Sequence, residues 1–249
     1  MRALITGASS GIGRDMAREL SKRGYDLVIV ARREDRLIEL KKELNTNVEI
    51  ICMDISNIEN CIQLHEKVGK VDILINNAGF GVFGEFTETD LYKEIQLINT
   101  NIVAMHTLTK VFLQDMKKEN SGMILNVASI AGFMPGPLMA TYYASKAYVV
   151  RLSEAIAEEL KKNKSNVFVG VLCPWPINTE FNDVANLIFK AKALSSQYVA
   201  KYAIDKLLKK KQLIIPGITI KLTKQLTRFA SDKFIASIAH NIQTKKRRD

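Results

Sequence analysis

Short apolar runs rich in Val, Ile and Leu alternate along the chain with longer segments whose apolar residues recur at helical spacing. The runs fall at 3–5, 27–30, 48–52, 73–75, 123–127, 167–172 and 213–215. A strand buried on both faces reads as such a continuous run, as parallel strands covered by helices do. Between the runs, segment 32–44 brings Leu37, Ile38, Leu40 and Leu44 onto one helical face, and segment 149–160 sets Leu152, Ile156 and Leu160 at steps of four. This alternation predicts an α/β fold: a doubly wound parallel sheet of about seven strands with helices on both faces. No internal repeat, low-complexity tract or Pro/Gly linker divides it. A single domain is therefore expected over 1–215.

The remaining residues, 216–249, read as an extension. A helix over 196–211, with Ser195 as its N-cap, leads through 212–216 and Gly217 into a further amphipathic stretch. There Ile218, Leu222, Leu226, Phe229 and Ile238 recur at near-helical steps among Lys221, Lys224, Arg228 and Lys233. Such an extra C-terminal helix can pack on its own domain or on a partner subunit, cover a pocket, or make peripheral membrane contact. Packing is the default expectation.

Charge changes the picture only locally. The 249 residues carry 36 Lys and Arg against 26 Asp and Glu, a formal +10, which invites a nucleic-acid reading. Residues 1–180 hold 21 basic and 22 acidic side chains, whereas 181–249 hold 15 and 4, ending in Lys245, Lys246, Arg247 and Arg248. The excess belongs to the last 69 residues, so no nucleic-acid partner is expected for the core. Cys52, Cys61 and Cys173 lack the spacing of a disulfide framework or zinc site, and His65, His106 and His240 are far apart, so no metal is expected. The N-terminus does not read as a secretory signal, and no stretch is long enough to span a bilayer. A cytoplasmic location is expected.

The first candidate chemistry lies where the first run ends. Residues 6–13 read Thr-Gly-Ala-Ser-Ser-Gly-Ile-Gly and open a helix. Glycines there permit a sharp turn, and a helix N-terminus favours a pyrophosphate, which makes Gly7, Ser9, Ser10, Gly11, Ile12 and Gly13 candidate contacts in a Rossmann-type dinucleotide site. The second run ends in Ala31, Arg32 and Arg33 instead of a carboxylate that would repel a 2′-phosphate. NADP (NADPH) is therefore expected over NAD. Arg32, first after the strand, is the expected phosphate contact; the alternative is that both arginines pair with Glu34 or Asp35. Tyr142 and Lys146, four apart on a helix, share a face, and the ammonium is predicted to lower the phenol from its usual value near 10.

These motifs together resemble the short-chain dehydrogenase/reductase family over about residues 1–180. The resemblance rests on the glycine turn, on Asn76-Asn77-Ala78-Gly79 after the fourth run, and on Tyr142-Tyr143-Ala144-Ser145-Lys146, in which Lys146 selects Tyr142 as the matching tyrosine. Ser129 stands 13 residues before Tyr142, where the family places its serine. The resemblance implies an NAD(P)-dependent interconversion of a carbonyl and an alcohol by hydride transfer. In it Tyr142 is the proton donor, Ser129 the orienting group, Lys146 the ribose anchor and Asn101, preferred over Asn99, the support of a proton-relay water. It further implies cofactor contacts from Asp54 and Ile55, from Asn77, Ala78 and Gly79, and from Pro174, Ile177 and Thr179, with Trp175 standing where the family commonly has glycine. The basic ending is more similar to uncharacterised, hydroxysteroid or long-chain ketoacyl reductases than to acyl-carrier ketoacyl reductases. A homodimer or homotetramer is implied. Phe80, Phe83, Phe133, Met134, Pro137, Leu138 and Met139 suggest an apolar cavity for a ketone, ketoacyl or steroid-like small-molecule substrate. The alternative function is a dinucleotide-sensing or scaffold protein with little turnover.

Overall fold

Residues 1–177, 180–181, 194–217 and 231–244 are described by a computed structural model. Its strands are β1 (Arg2–Thr6), β2 (Asp26–Ala31), β3 (Val48–Cys52), β4 (Ile73–Asn76), β5 (Met123–Val127), β6 (Phe168–Leu172) and β7 (Leu213–Ile214). They form one parallel sheet in the order β3-β2-β1-β4-β5-β6-β7. Each lies within two residues of an apolar run read from the sequence, because burial on both faces leaves few polar positions inside a strand, Glu49 and the hydrogen-bonded Asn126 being the exceptions.

The period of two along each strand sorts its residues between two cores. Ala3, Ile5, Leu27 and Ile29 point to one face. There they meet Met16 and Leu20 of α1 (Gly11–Ser21), Leu37 and Leu40 of α2 (Glu34–Glu43), and Val199, Ala203 and Leu207 of the helix Ser196–Leu208. Leu4, Val28 and Val30 point to the other, against Leu64 of α3 (Ile58–Val68), Leu108 and Phe112 of α5 (Met105–Lys118), and Leu160 of α6 (Ala140–Lys162). The helix read at 149–160 is the inner part of α6, and the one read at 32–44 begins two residues later because Arg33 is still extended. Ser195 caps its helix, accepting from the Tyr198 N–H at 3.2 Å.

Strand order reverses between β1 and β4, and ligands bind at the carboxyl edge of such a switch point. Of the expected C-terminal helix, the described part is Asp232–Thr244. It buries Ile235, Ala239 and Gln243, one residue per turn, and exposes Phe234, Ile238 and Ile242. Residues 218–230 and the basic end 245–249 lie outside the described residues. Among those described, no helix is long and apolar enough to cross a membrane.

Candidate active site

At the switch point the ends of β1 and β4 are tied through one hydroxyl. Thr6 Oγ1 accepts from the Asn77 and Ala78 N–H groups at 3.0 and 3.1 Å and donates to the Ile75 carbonyl at 3.4 Å. Asn77 Nδ2 donates back to the carbonyls of Thr6 and Gly7 at 3.0 and 3.1 Å. The turn between them needs glycine: Gly7 and Gly11 have φ of +65° and +55°, and a Cβ on Gly7 would lie 2.8 Å from Ala78 Cα. Gly13 differs from its expected role. It does not line the cavity but lies behind the turn, where a Cβ would enter the Asn77 side chain and the Gly7 carbonyl.

A cavity of about 880 Å³ opens along this edge of the sheet. Gly7, Ser9, Ser10, Gly11 and Ile12 wall it at the glycine turn. Arg32, Arg33, Asp54, Ile55 and the segment Asn77, Ala78 and Gly79 continue the wall. The two arginines differ from expectation. Arg32 is exposed, its nearest carboxylate being Asp54 at 3.9 Å. Arg33 instead turns to the glycine turn, donating to Ser9 Oγ at 3.2 Å and to Glu180 at 2.8 Å. Neither pairs with Glu34 or Asp35. Glu180 also lies 3.7 Å from Arg36 and bonds Ser10, and Arg33, Ser10 and Arg36 together hold its carboxyl below the usual range. Asp54 shapes its own loop by accepting from the Ser56 N–H at 2.9 Å, while Asn57 caps α3.

Ser129, Tyr142, Lys146, Pro174 and Ile177 converge on the same cavity from β5, α6 and the loop after β6; Thr179 lies outside the described residues. Ser129, two residues past β5, is extended and caps a short 3₁₀ turn, Ile130–Phe133, accepting from the Ala131 N–H at 3.2 Å. Lys146 is buried, donates to the Val127 carbonyl at 3.0 Å, and sits 5.8 Å from the Tyr142 ring centre. Burial lowers its pKa to about 8. The expectation that this ammonium depresses the Tyr142 phenol is corrected: burial raises the phenol, and the hydrogen bond with Ser129 is what opposes it. The reason is desolvation, which penalises a phenolate and an ammonium alike in one dry place.

Asn101 is brought toward this group and Asn99 is not. The helix after α4 (Leu91–Ile98) widens to a π-helical segment, Asn99–Ala104, of the kind that recurs at functional sites. Asn101 is buried there, and Asn99 faces a shallow depression beside Ser56 and Asn57. The Asn101 amide is committed, however. It accepts from the Phe80 N–H at 3.1 Å and donates to the Phe80 carbonyl at 3.0 Å and to Ser145 Oγ at 3.1 Å, one layer behind the wall. It ties the Phe80 backbone to Ser145 of α6.

Beyond Tyr142 the cavity is lined by Phe83, Met139, Tyr143 and Phe181, as well as Gln243 from the C-terminal helix. Phe80 also lines it, whereas Phe133 and Met134 pack into the core under β6, and Pro137 and Leu138 do not line it. Tyr143, Phe181, Glu180 and Gln243 were missed in the sequence. None carried a signal, since the stripe that buries Gln243 with Ile235 and Ala239 is not the one through Ile238 that the sequence pattern suggests.

A family profile described as short chain dehydrogenase matches residues 1–187. An uncharacterised oxidoreductase of Staphylococcus epidermidis is 30% identical over 88% of this chain and 96% of its own length. A very-long-chain 3-oxoacyl-CoA reductase of Kluyveromyces lactis is 35% identical over 66% of this chain, an alignment spanning 52% of that relative. Among solved structures, a short-chain dehydrogenase/reductase from Burkholderia phymatum in complex with NAD is similar with a TM-score of 0.82 and 27% identity, over 90% of this chain and 92% of that one. A short-chain dehydrogenase from Sphingobium yanoikuyae in complex with NADPH gives 0.83 and 27%, over 92% of both chains. With that match over three quarters of its length and the seven-stranded parallel sheet beneath it, the chain belongs to the short-chain dehydrogenase family, NAD(P)-linked oxidoreductases of alcohol and carbonyl groups.

Proposed function

We propose that this protein is an NADP-preferring reductase of apolar carbonyl compounds in which Tyr142 protonates the carbonyl oxygen. The observation that carries the reading is the Tyr142 phenol in the cavity, with Ser129 lining the same cavity and the Lys146 ammonium 5.8 Å from the ring centre. Burial keeps the phenol protonated at neutral pH, the state a proton donor needs. Ser129 orients the substrate oxygen toward it. Lys146, fixed by the Val127 carbonyl, binds ribose and supplies positive charge as the proton leaves. Asn101 positions the Phe80 backbone and, through Ser145, the start of α6.

The donor set fits a nicotinamide dinucleotide. Positive-φ glycines at Gly7 and Gly11 and the start of α1 suit a pyrophosphate. Asp54 and Ile55, on the glycine-turn side of the cavity, would hold the adenine end, and Pro174 and Ile177 the nicotinamide end. When bound, the reduced cofactor supplies the hydride. The NADP preference rests on Arg33 with Ser9 beside it and on the absence of a carboxylate at the end of β2. Glu180 pairs with Arg33, so a 2′-phosphate would exchange with that carboxylate. The apolar substrate rests on Phe83, Met139 and Phe181 around Tyr142, and the similarity to a 3-oxoacyl-CoA reductase supports a ketoacyl or comparable ketone. A homo-oligomer is favoured by Leu91, Tyr92 and Ile95, which leave an apolar strip of α4 exposed.

The test is NADPH oxidation over a panel of ketones, aldehydes and 3-ketoacyl thioesters, with Tyr142→Phe as control. Turnover of at least one compound that is lost in the variant is expected. Silence across the panel with tight NADPH binding would replace this reading with a dinucleotide sensor.

A further inference from the structure

The substrate end of the cavity contains a polar pair that the carbonyl chemistry above does not use. Gln243, from the C-terminal helix, is 2% exposed and reaches across 100 residues of sequence to donate from Nε2 to the Tyr143 hydroxyl at 2.7 Å. Its other amide atom, Oε1, is buried and has no partner. An amide turned the other way would instead leave Nε2 unpartnered, so in either orientation one strong hydrogen-bonding atom is left over. Leaving such a group unpaired costs stability, and native proteins rarely tolerate it without a reason.

The surroundings make the omission specific. Met139, Phe83, Tyr142 and Phe181 pack around Tyr143 without offering the amide an alternative partner. The Tyr143 ring is itself fixed, lying so close over Gly136 that any Cβ there would enter it. Its ring centre is 6.0 Å from that of Tyr142, so the pair stands one ring away from the reacting phenol. With its oxygen accepting from Gln243, Tyr143 keeps its own proton to donate. Both residues line the cavity, so the pair places one unpaired acceptor and one donor at its substrate end, next to the apolar Phe83, Met139 and Phe181.

We propose that the Gln243–Tyr143 pair is a second anchor in the substrate cavity, selecting carbonyl compounds that carry a hydroxyl or amide group at a fixed distance from the reacting carbonyl. A hydroxyl or amide both donates and accepts, and so matches the pair in either amide orientation. The proposal rests on the reductase reading of Tyr142. It gives the C-terminal helix a role in specificity: the stripe Ile235, Ala239 and Gln243 docks the helix and delivers the amide to the cavity.

The experiment uses the full chain with NADPH and compares 2-octanone with 2-octanones bearing a single hydroxyl at successive carbons from C4 to C8. One hydroxyl position is expected to raise kcat/KM about tenfold over 2-octanone, the factor for one well-placed buried hydrogen bond. In Gln243→Met the ratio is expected to fall to within about twofold of one, and in Tyr143→Phe part of the way, with NADPH affinity as the folding control. No preferred position, or a preference that survives Gln243→Met, overturns the anchor. If none of the ketones is reduced, it is the reading of Tyr142 that fails. Calorimetric binding of the same compounds to the NADPH complex then decides the anchor separately, a hydroxyl preference that Gln243→Met abolishes supporting it and equal binding refuting it.

Discussion

The two ends of the cavity are built in different ways. At the glycine turn, the Thr6 and Asn77 ties join strand ends that are already neighbours in the sheet, and the charged groups at that end, Arg32, Arg33, Arg36, Asp54 and Glu180, keep much of their surface in water. At the Tyr142 end Ser129, Lys146, Asn101 and Gln243 are buried around a half-buried Tyr142, and the contacts join α6 to the π-helical segment and to the C-terminal helix. The first end recognises charge in water-accessible surroundings. The second sets proton affinity and shape by excluding water, which is why Tyr142 is raised and Lys146 lowered there while the exposed Glu180 simply follows its arginines. Changes at one end should therefore act on binding of the dinucleotide and changes at the other on turnover and stability, and each prediction below tests that division.

The largest effect is expected at Tyr142. Tyr142→Phe should lower kcat by about 10²–10⁴-fold, the range for a lost general acid, while NADPH affinity, read by fluorescence, stays within a few-fold. A parallel loss of NADPH binding would break the division. At the opposite end, Arg33→Met should weaken NADPH by about 10–100-fold, as expected for a hydrogen bond to a charged group worth roughly 1.5–3 kcal/mol. It should leave NADH affinity and the kcat at saturating NADPH nearly unchanged; the same substitution at the exposed Arg32 should matter less. Equal losses for both dinucleotides, measured by titration, would remove Arg33 from the phosphate site.

Asn101→Ala removes the partner of both Phe80 backbone groups and should cost about 1–3 kcal/mol in chemical denaturation, a loss in the wall that supports the chemistry. Lys146 sharpens the comparison through pH. It titrates near 8 in the folded chain against 10.5 for an ordinary lysine, so between those values the unfolded chain holds the extra proton and stability rises with pH. Lys146→Met should flatten that rise, seen by comparing unfolding midpoints at pH 7.5 and 10 in both proteins. The smallest effect belongs to Glu180→Gln. Removing a competing carboxylate from Arg33 should tighten NADPH no more than about fivefold, since an ion pair this exposed is worth at most about 1 kcal/mol.

Much of this arrangement was legible in the chain. The strands were, because a parallel sheet covered on both faces demands unbroken apolar runs, and the N-cap of Ser195 was, because capping is local. Tyr142, Lys146 and Ser129 were legible as a spacing. The choice between Arg32 and Arg33 was not: both follow β2, and which one turns to the glycine loop is set by Ser9 and by Glu180, 147 residues away. Gly13 was legible as part of the turn but not as a packing glycine, a role fixed by Asn77. The direction of the Tyr142 shift was not legible, because spacing shows that an ammonium is near, and the burial that raises the phenol is a property of the whole cavity.

By itself the sequence determined the sheet, its helices and the residues that meet at its carboxyl edge, since these follow from periodicity and from short motifs whose geometry is local. Tertiary structure alone decided which arginine faces the turn, that Asn101 stands behind the wall, and that Gln243 enters the cavity from the far end of the chain. Those outcomes depend on contacts across 21 to 147 residues and on how much water is excluded around them, and neither quantity is written in any one stretch of sequence.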